Sequence, residues 1–335
     1  MLTTLTEVPD KFLTIDATEL HTLLNGPTLF HLEGRHKEPL FVSTLLHGNE
    51  TTGLRAIQKL LIKYKGQTLP RHFSFFIGNV NAAQQELRRQ EHQPDYNRTW
   101  PGTEQASSDE TIMMQQIKDA MRERHVFASI DIHNNTGLNP HYACINKCEN
   151  AFFHLARLFS RTIVYFTRPL GVQSQAFADI CPSVTIECGQ VGQTTSVDHA
   201  FEYIDAALHL SELPQHPIAK QDIDLFHTIA IVKIPEQARF SFNGKHCSIC
   251  LDENIDHMNF KEIETGTRLG ELYGEQTIHL NVWNNDGINI GEELFDYSNN
   301  EIRTKKPVMP AMLTLNEKVI RQDCLCYLME RYPVD

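Results

Sequence analysis

The chain has 335 residues, 41% of them hydrophobic and 21% charged, with 30 Lys+Arg against 42 Asp+Glu and a formal net charge of −12. That length and mix suit a globular chain with room for one large or two moderate domains and a real core. The acidic balance argues against nucleic acid and anionic membrane as partners, but not against an anionic small substrate held at a locally positive site.

The N-terminal MLTTLTEVPDKFLTID has no basic region followed by an apolar core. No stretch approaches the roughly 18 apolar residues of a membrane span. Neither a signal peptide nor a membrane helix is expected, and the expected compartment is the cytoplasm with reduced thiols. FVSTLLHG, from Phe41, predicts a strand, and Thr51–Tyr64 a helix with Leu54, Ile57, Leu60 and Leu61 on its apolar face. His72–Asn81 reads as a second strand. Gln84–Asp109 is too polar for core and too long for a plain turn, which marks a functional loop. Glu110–Arg124 predicts a helix, SIDIHN a strand, Asn150–Ser160 a helix, RTIVYF and PSVTIECG strands, and Val197–Leu210 a helix. Strands interleaved with helices imply an α/β fold, a sheet covered by helices on both faces. Ser211–Gln221, with two prolines and few apolar residues, reads as a linker. Beyond it short β-like runs dominate (HTIAIVKI, TIHLNVW, PVMPAMLTL), with a turn signal at Asn285-Asp286-Gly287. The expected division is a catalytic domain over 1–215 and a smaller β-rich domain over 222–335.

Two of these strands end in histidine. FVSTLLHGNE places His47 and Glu50 at H-x-x-E spacing, with Gly48 allowing a sharp turn between them. SIDIHN ends in His133. Strand ends are where α/β enzymes place reactive groups, since the backbone is fixed and the side chain leaves the sheet. Two imidazoles and a carboxylate are a common catalytic zinc set that leaves a fourth position for water. An isolated H-x-x-E is common by chance, and the strand-end settings raise its weight. Asp131 shares a strand face with His133. It either orients that imidazole or serves as a structural acceptor. His246, Cys247, Cys250 and His257 form a second cluster around a C-x-x-C. A structural zinc or redox site is conceivable there, but no matched pair follows at zinc-finger spacing, and the cysteines are read as small buried hydrophobes.

HGNE, the NR of DYNRTWPG, DIHNNTG and the glutamate of SVTIECGQ occur in that order. The chain thereby resembles the succinylglutamate desuccinylase/aspartoacylase family of the zinc carboxypeptidase superfamily, with a weaker match at Asp256–Glu271. The resemblance implies a mixed sheet flanked by helices with a smaller C-terminal β-rich domain, and one zinc per chain on His47, Glu50 and His133. It implies that Glu187 is the catalytic acid–base, that Asn97 and Arg98 contact substrate, and that an arginine polarises the scissile carbonyl. Arg89 is assigned there rather than Arg88, although its spacing to Asn97 is a residue longer than usual. Members acting on acidic acyl-amino acids carry a further arginine before the catalytic glutamate. Here that position is Phe177, with Arg168 further upstream.

The expected function is zinc-dependent hydrolysis of the amide of an N-acyl amino acid, succinylglutamate-like compounds first. A carboxypeptidase acting on a short peptide, or a metal-binding protein without turnover, are the alternatives. The expected partner is a small molecule, with a homo-oligomer open.

Overall fold

The computed structural model describes residues 2–242, 244, 247–274 and 278–333. Two compact units emerge, Met1–Asn134 with His141–Asp224, and Asn135–Pro140 with Leu225–Asp335.

The first unit runs β1 (Thr3–Leu5), β2 (Thr28–Leu32), β3 (Gly34–Thr44), α1 (Thr52–Lys63), β4 (Leu69–Ile77), α2 (Val80–Ala83), α3 (Asp109–Glu123), β5 (Ala128–Asn135), β6 (Tyr142–Ile145), α4 (Asn150–Phe159), β7 (Thr162–Tyr165), α5 (Gln173–Phe177), β8 (Ser183–Gln190) and α6 (Thr194–His209). Its strands lie side by side in the order β1-β2-β4-β3-β5-β8-β6-β7. The sheet is mixed: β3 is parallel to β4 and β5, while β2 against β4 and β6 against β8 are antiparallel. This is the helix-flanked mixed sheet that the sequence predicts.

Side-chain alternation divides the faces. Ser43 and Asp131 meet on one side, and Phe41 on that side packs into a cluster with Phe76, Trp100, Phe177 and the α3 residues Met113, Met114, Ile117 and Met121. Thr44 and Ile132 point the other way, against the first turn of α1. A Cβ on Gly53 would collide with Thr44 there, so glycine lets the helix start lie directly on the sheet. α1 is tied to α6 by Lys59–Asp198, Lys63–Asp205 and the Tyr64 hydroxyl on Asp205.

The second unit is β-rich. It holds β9 (Asp224–Lys233), β10 (Phe240–Ser241), β11 (Ile249–Leu251), β12 (Arg268–Leu272), β13 (Asn281–Asn284), α7 (Gly291–Leu294), β14 (Phe295–Asp296), β15 (Glu301–Thr304), β16 (Met309–Ala311), α8 (Glu317–Gln322) and β17 (Cys326–Arg331). β10-β11-β12-β15-β14 form one sheet. β9 pairs with β13 on one edge and β17 on the other, with β16 beyond β17. Val232, Leu269, Val282, Ile302 and Leu328 belong to one apolar core here. The Asn285-Asp286-Gly287 turn follows β13, with Gly287 at a φ of 75°. Among the described residues no helix is long and apolar enough to cross a membrane.

Phe177 is fully buried, stacked on Phe41 with ring centroids 4.9 Å apart and edge-on to Trp100 at 5.8 Å. It is core, which accounts for an aromatic ring at this position. Phe177→Ala should cost about 3–5 kcal/mol, as for a buried aromatic truncated in a packed interior. Denaturant unfolding checks this, and a loss under about 1 kcal/mol would remove Phe177 from the core.

Candidate metal centre and active site

After β3 the chain turns at Leu45, whose φ of 55° lies in the left-handed region. The Leu45 carbonyl accepts the Asn79 N–H at 2.6 Å, and the Thr44 carbonyl accepts the Gly78 N–H at 3.0 Å. These bonds hold the His47 loop to the segment after β4. Gly48 lies in the sharp turn expected between the two ligands, closed by the Glu50 N–H on the His47 carbonyl at 3.1 Å, but its φ lies outside the left-handed region, so the turn itself does not require glycine. Gly48 is needed because a Cβ there would collide with the Ala82–Ala83 backbone. Its own N–H donates to the Arg88 carbonyl at 3.1 Å.

His47, Glu50 and His133 are all buried, and each offers a ligand atom within 4.8 Å of the others. His47 Nδ1 lies 2.8 Å from Glu50 Oε1, and His133 Nδ1 lies 2.7 Å from Glu50 Oε2. The far nitrogens are braced by separate carboxylates: His47 Nε2 is 3.0 Å from Asp95 Oδ1, and His133 Nε2 is 2.8 Å from Asp131 Oδ2. A neutral imidazole has one N–H and one lone pair. If Nε2–H donates to the aspartate, the Nδ1 lone pair faces the Glu50 carboxylate. Three acceptors then converge on one point, an arrangement stable only with a cation among them. The donor set fits a metal ion, and the outer aspartates fit the carboxylates that orient metal-ligating histidines.

The electrostatics agree. Burial opposes charge on His133, but Asp131 and Glu50 outweigh it and lift the imidazole well above its ordinary range. Burial and the Arg88 guanidinium oppose charge on His47, and Glu50 with Asp95 overcome them. Burial would raise the Glu50 carboxyl, yet the two imidazoles hold it below the usual carboxylate range.

Asp95 and Arg88 carry no distinctive spacing in the sequence, and both join the cluster. Arg88 Nη2 donates to Asp95 Oδ2 at 3.2 Å, and Arg88 Nη1 is 3.7 Å from Glu50 Oε1. Arg89, which the sequence reading assigned to the carbonyl, instead donates to the Gln93 carbonyl at 2.9 Å. The guanidinium against the Glu50 carboxylate is therefore that of Arg88. Asn97 donates its N–H to Asp95 Oδ1 at 2.8 Å, and its side-chain Oδ1 is buried with no hydrogen-bond partner among the described residues. Arg98 is half-buried, donates to the Asn97 carbonyl at 2.8 Å, and its charge helps hold Asp95 ionised. Arg168 is half-buried and pairs with Glu104 at 2.9 Å.

Glu187 is buried on β8, directly across from Tyr142 of β6. Burial pushes its carboxyl up to about 7. Nearby Glu50 and Asp131 add to the rise, while His133 and His47 oppose it. Its strand exit is tethered at both following residues, with the Cys188 carbonyl bonded by His141 and the Gly189 carbonyl by Asn134 Nδ2 at 3.0 Å.

The family model of the succinylglutamate desuccinylase/aspartoacylase catalytic domain matches residues 37–205, half of the chain, and spans every residue of this cluster. The chain belongs to this family. Solved structures with the same fold include the succinylglutamate desuccinylase from Chromobacterium violaceum, at 15% identity and a TM-score of 0.57, covering 90% of this chain and 86% of that one. Murine aminoacylase 3 has 14% identity and a TM-score of 0.60, covering 89% and 96%. The ectoine utilization protein EutE from Ruegeria pomeroyi, solved with product bound, has 12% identity and a TM-score of 0.56, covering 91% and 88%. No curated protein sequence matches the chain.

Among the described residues, the His47, Glu50 and His133 group is the one set of three or more His, Cys, Asp or Glu able to share an ion. Cys247 and Cys250 are half-buried neighbours, Cys324 and Cys326 are buried, and His246 lies outside the described residues. Asp95→Asn and Asp131→Asn should each weaken zinc binding about 10- to 100-fold, the usual loss when a partner of a ligand histidine is removed. Cys247→Ser should leave it unchanged. Competition with a chelator measures this, and unchanged affinity in both aspartate variants would contradict their bracing role.

Proposed function

We propose that the chain is a zinc-dependent amidohydrolase that removes the acyl group from an N-acyl amino acid. The observation that carries this reading is the convergence of His47 Nδ1, His133 Nδ1 and the Glu50 carboxylate, beside a buried Glu187. His47, Glu50 and His133 would hold one zinc ion. Bound there, zinc supplies Lewis-acid polarisation of a carbonyl and of water.

The remaining work falls to the chain's own side chains. Glu187 accepts a proton from the attacking water and returns it to the amide nitrogen, so that the C–N bond breaks to give a carboxylate and an amine. A buried carboxyl beside the ligand set can take the proton in one step and give it back in the next. Glu50 is committed to the histidines and cannot serve. Arg88 offsets negative charge developing on the carbonyl oxygen. Arg98 receives a substrate carboxylate through its planar donor face. The unpartnered Asn97 Oδ1 accepts an N–H from the substrate. N-succinyl amino acids rank first by family, and with buried Phe177 at the position of the further arginine, discrimination against a neutral acyl group should be poor.

Glu187→Gln keeps size and hydrogen bonding but cannot take a proton at neutral pH. Turnover should fall by about 10²–10⁴-fold, the usual worth of positioned acid–base catalysis, with zinc retained. Near wild-type turnover would refute the role, and loss of zinc would make Glu187 a ligand. Arg98→Ala should lose roughly 2–5 kcal/mol of binding to a carboxylate-bearing substrate. Esterifying that carboxylate should weaken binding to wild type similarly and to the variant little. Equal losses in both proteins would assign Arg98 elsewhere.

A further inference from the structure

One side chain ties the metal-ligand segment to the acid–base strand. Asn134 follows His133, is buried, and uses three of its polar groups on three partners. Its backbone N–H donates to Glu50 Oε2 at 3.1 Å. Its Oδ1 accepts the N–H of Thr52, the first residue of α1 and two beyond Glu50, at 3.3 Å. Its Nδ2 donates to the Gly189 carbonyl at 3.0 Å, two residues beyond Glu187. Partner chemistry sets the amide's orientation, since Thr52 N–H needs an acceptor and the Gly189 carbonyl needs a donor. Gly189 has a φ of 67°, so the chain changes direction where the amide grips it.

We infer that Asn134 is a positioning residue that sets the placement of Glu187 relative to Glu50 by clamping the segments that follow each of them. The inference rests on the acid–base role proposed for Glu187. Both polar atoms of the amide are taken up by the chain itself, Oδ1 by Thr52 and Nδ2 by Gly189. It acts by fixing the β8 exit, and a misplacement of about 1 Å at a reacting group can cost as much as 10²-fold in rate. Cutting the Gly189 bond alone should therefore slow the step that uses Glu187 while leaving the ligand set intact.

Asn134→Asp keeps the acceptor for Thr52 and the backbone bond to Glu50, and removes the donor to Gly189. Asn134→Ala removes both side-chain bonds. The test compares each with wild type and repeats the comparison in a Glu187→Gln background, with N-succinyl-glutamate as the probe. Zinc should stay at one per chain. kcat should fall about 10- to 100-fold with little change in KM. In the Glu187→Gln background the same substitutions should have an effect below about 2-fold, because residues acting through one another are not additive. Peptides covering residues 187–193 should exchange amide hydrogens at least about 10-fold faster in Asn134→Asp, with residues 44–50 unchanged. Equal rate factors in both backgrounds, unchanged exchange at 187–193, or loss of zinc in Asn134→Asp would each overturn the inference. A Glu187→Gln enzyme as active as wild type would instead remove the acid–base reading, whatever Asn134 does.

Discussion

The constraint on which the rest depends is a surplus of buried carboxylate around two imidazoles. Glu50 faces both rings, Asp95 and Asp131 each back one, and Arg88 is the guanidinium in contact with two of the three acids. Buried charges of one sign are costly unless paired. The cluster is therefore built to hold positive charge, either as protons on the rings or as a divalent ion between them. That requirement explains why both Nδ1 atoms face inward and both Nε2 atoms outward.

The sheet supplies the rigidity. Ser43 of β3 donates to Asp131 Oδ1 at 2.6 Å, so the brace behind His133 is itself braced from the neighbouring strand. His47 and Glu50 leave β3 and enter α1 within a few residues, and the close seat of Gly53 on the sheet keeps that passage short. Glu187 comes from β8, next to β5 in the sheet. His133 and Glu187 meet because the neighbouring strands β5 and β8 deliver them, while His47 and Glu50 lie in the short loop after β3, held by the Gly78 and Asn79 N–H groups on the Thr44 and Leu45 carbonyls.

Much of this was legible in the sequence. The triad is readable because each member lies at the end of an apolar run, and strand and helix periods reveal those runs. Asp95 and Arg88 were not legible. They sit in the polar stretch after β4, where no periodicity says which side chain points inward, and counting from Asn97 favoured Arg89 over its neighbour. The turn at Gly48 was legible, but the reason it must be glycine was not: its close approach to Ala82–Ala83 depends on a partner far along the chain, while a turn is a local reading. The short β6 and α5 were passed over because Tyr142–Ile145 and Gln173–Phe177 are too brief for periodicity to register, and tertiary packing makes them regular.

The account stands or falls on whether this cluster is a zinc centre that cuts amides. The direct measurement is amine release by metal-free and zinc-reconstituted protein from N-succinyl-glutamate, N-acetyl amino acids and short peptides. The account predicts release from at least one N-acyl amino acid at one zinc per chain, and none without the metal. Full occupancy of His47, Glu50 and His133 by zinc with no hydrolysis across that panel, or equal hydrolysis without zinc, would contradict it.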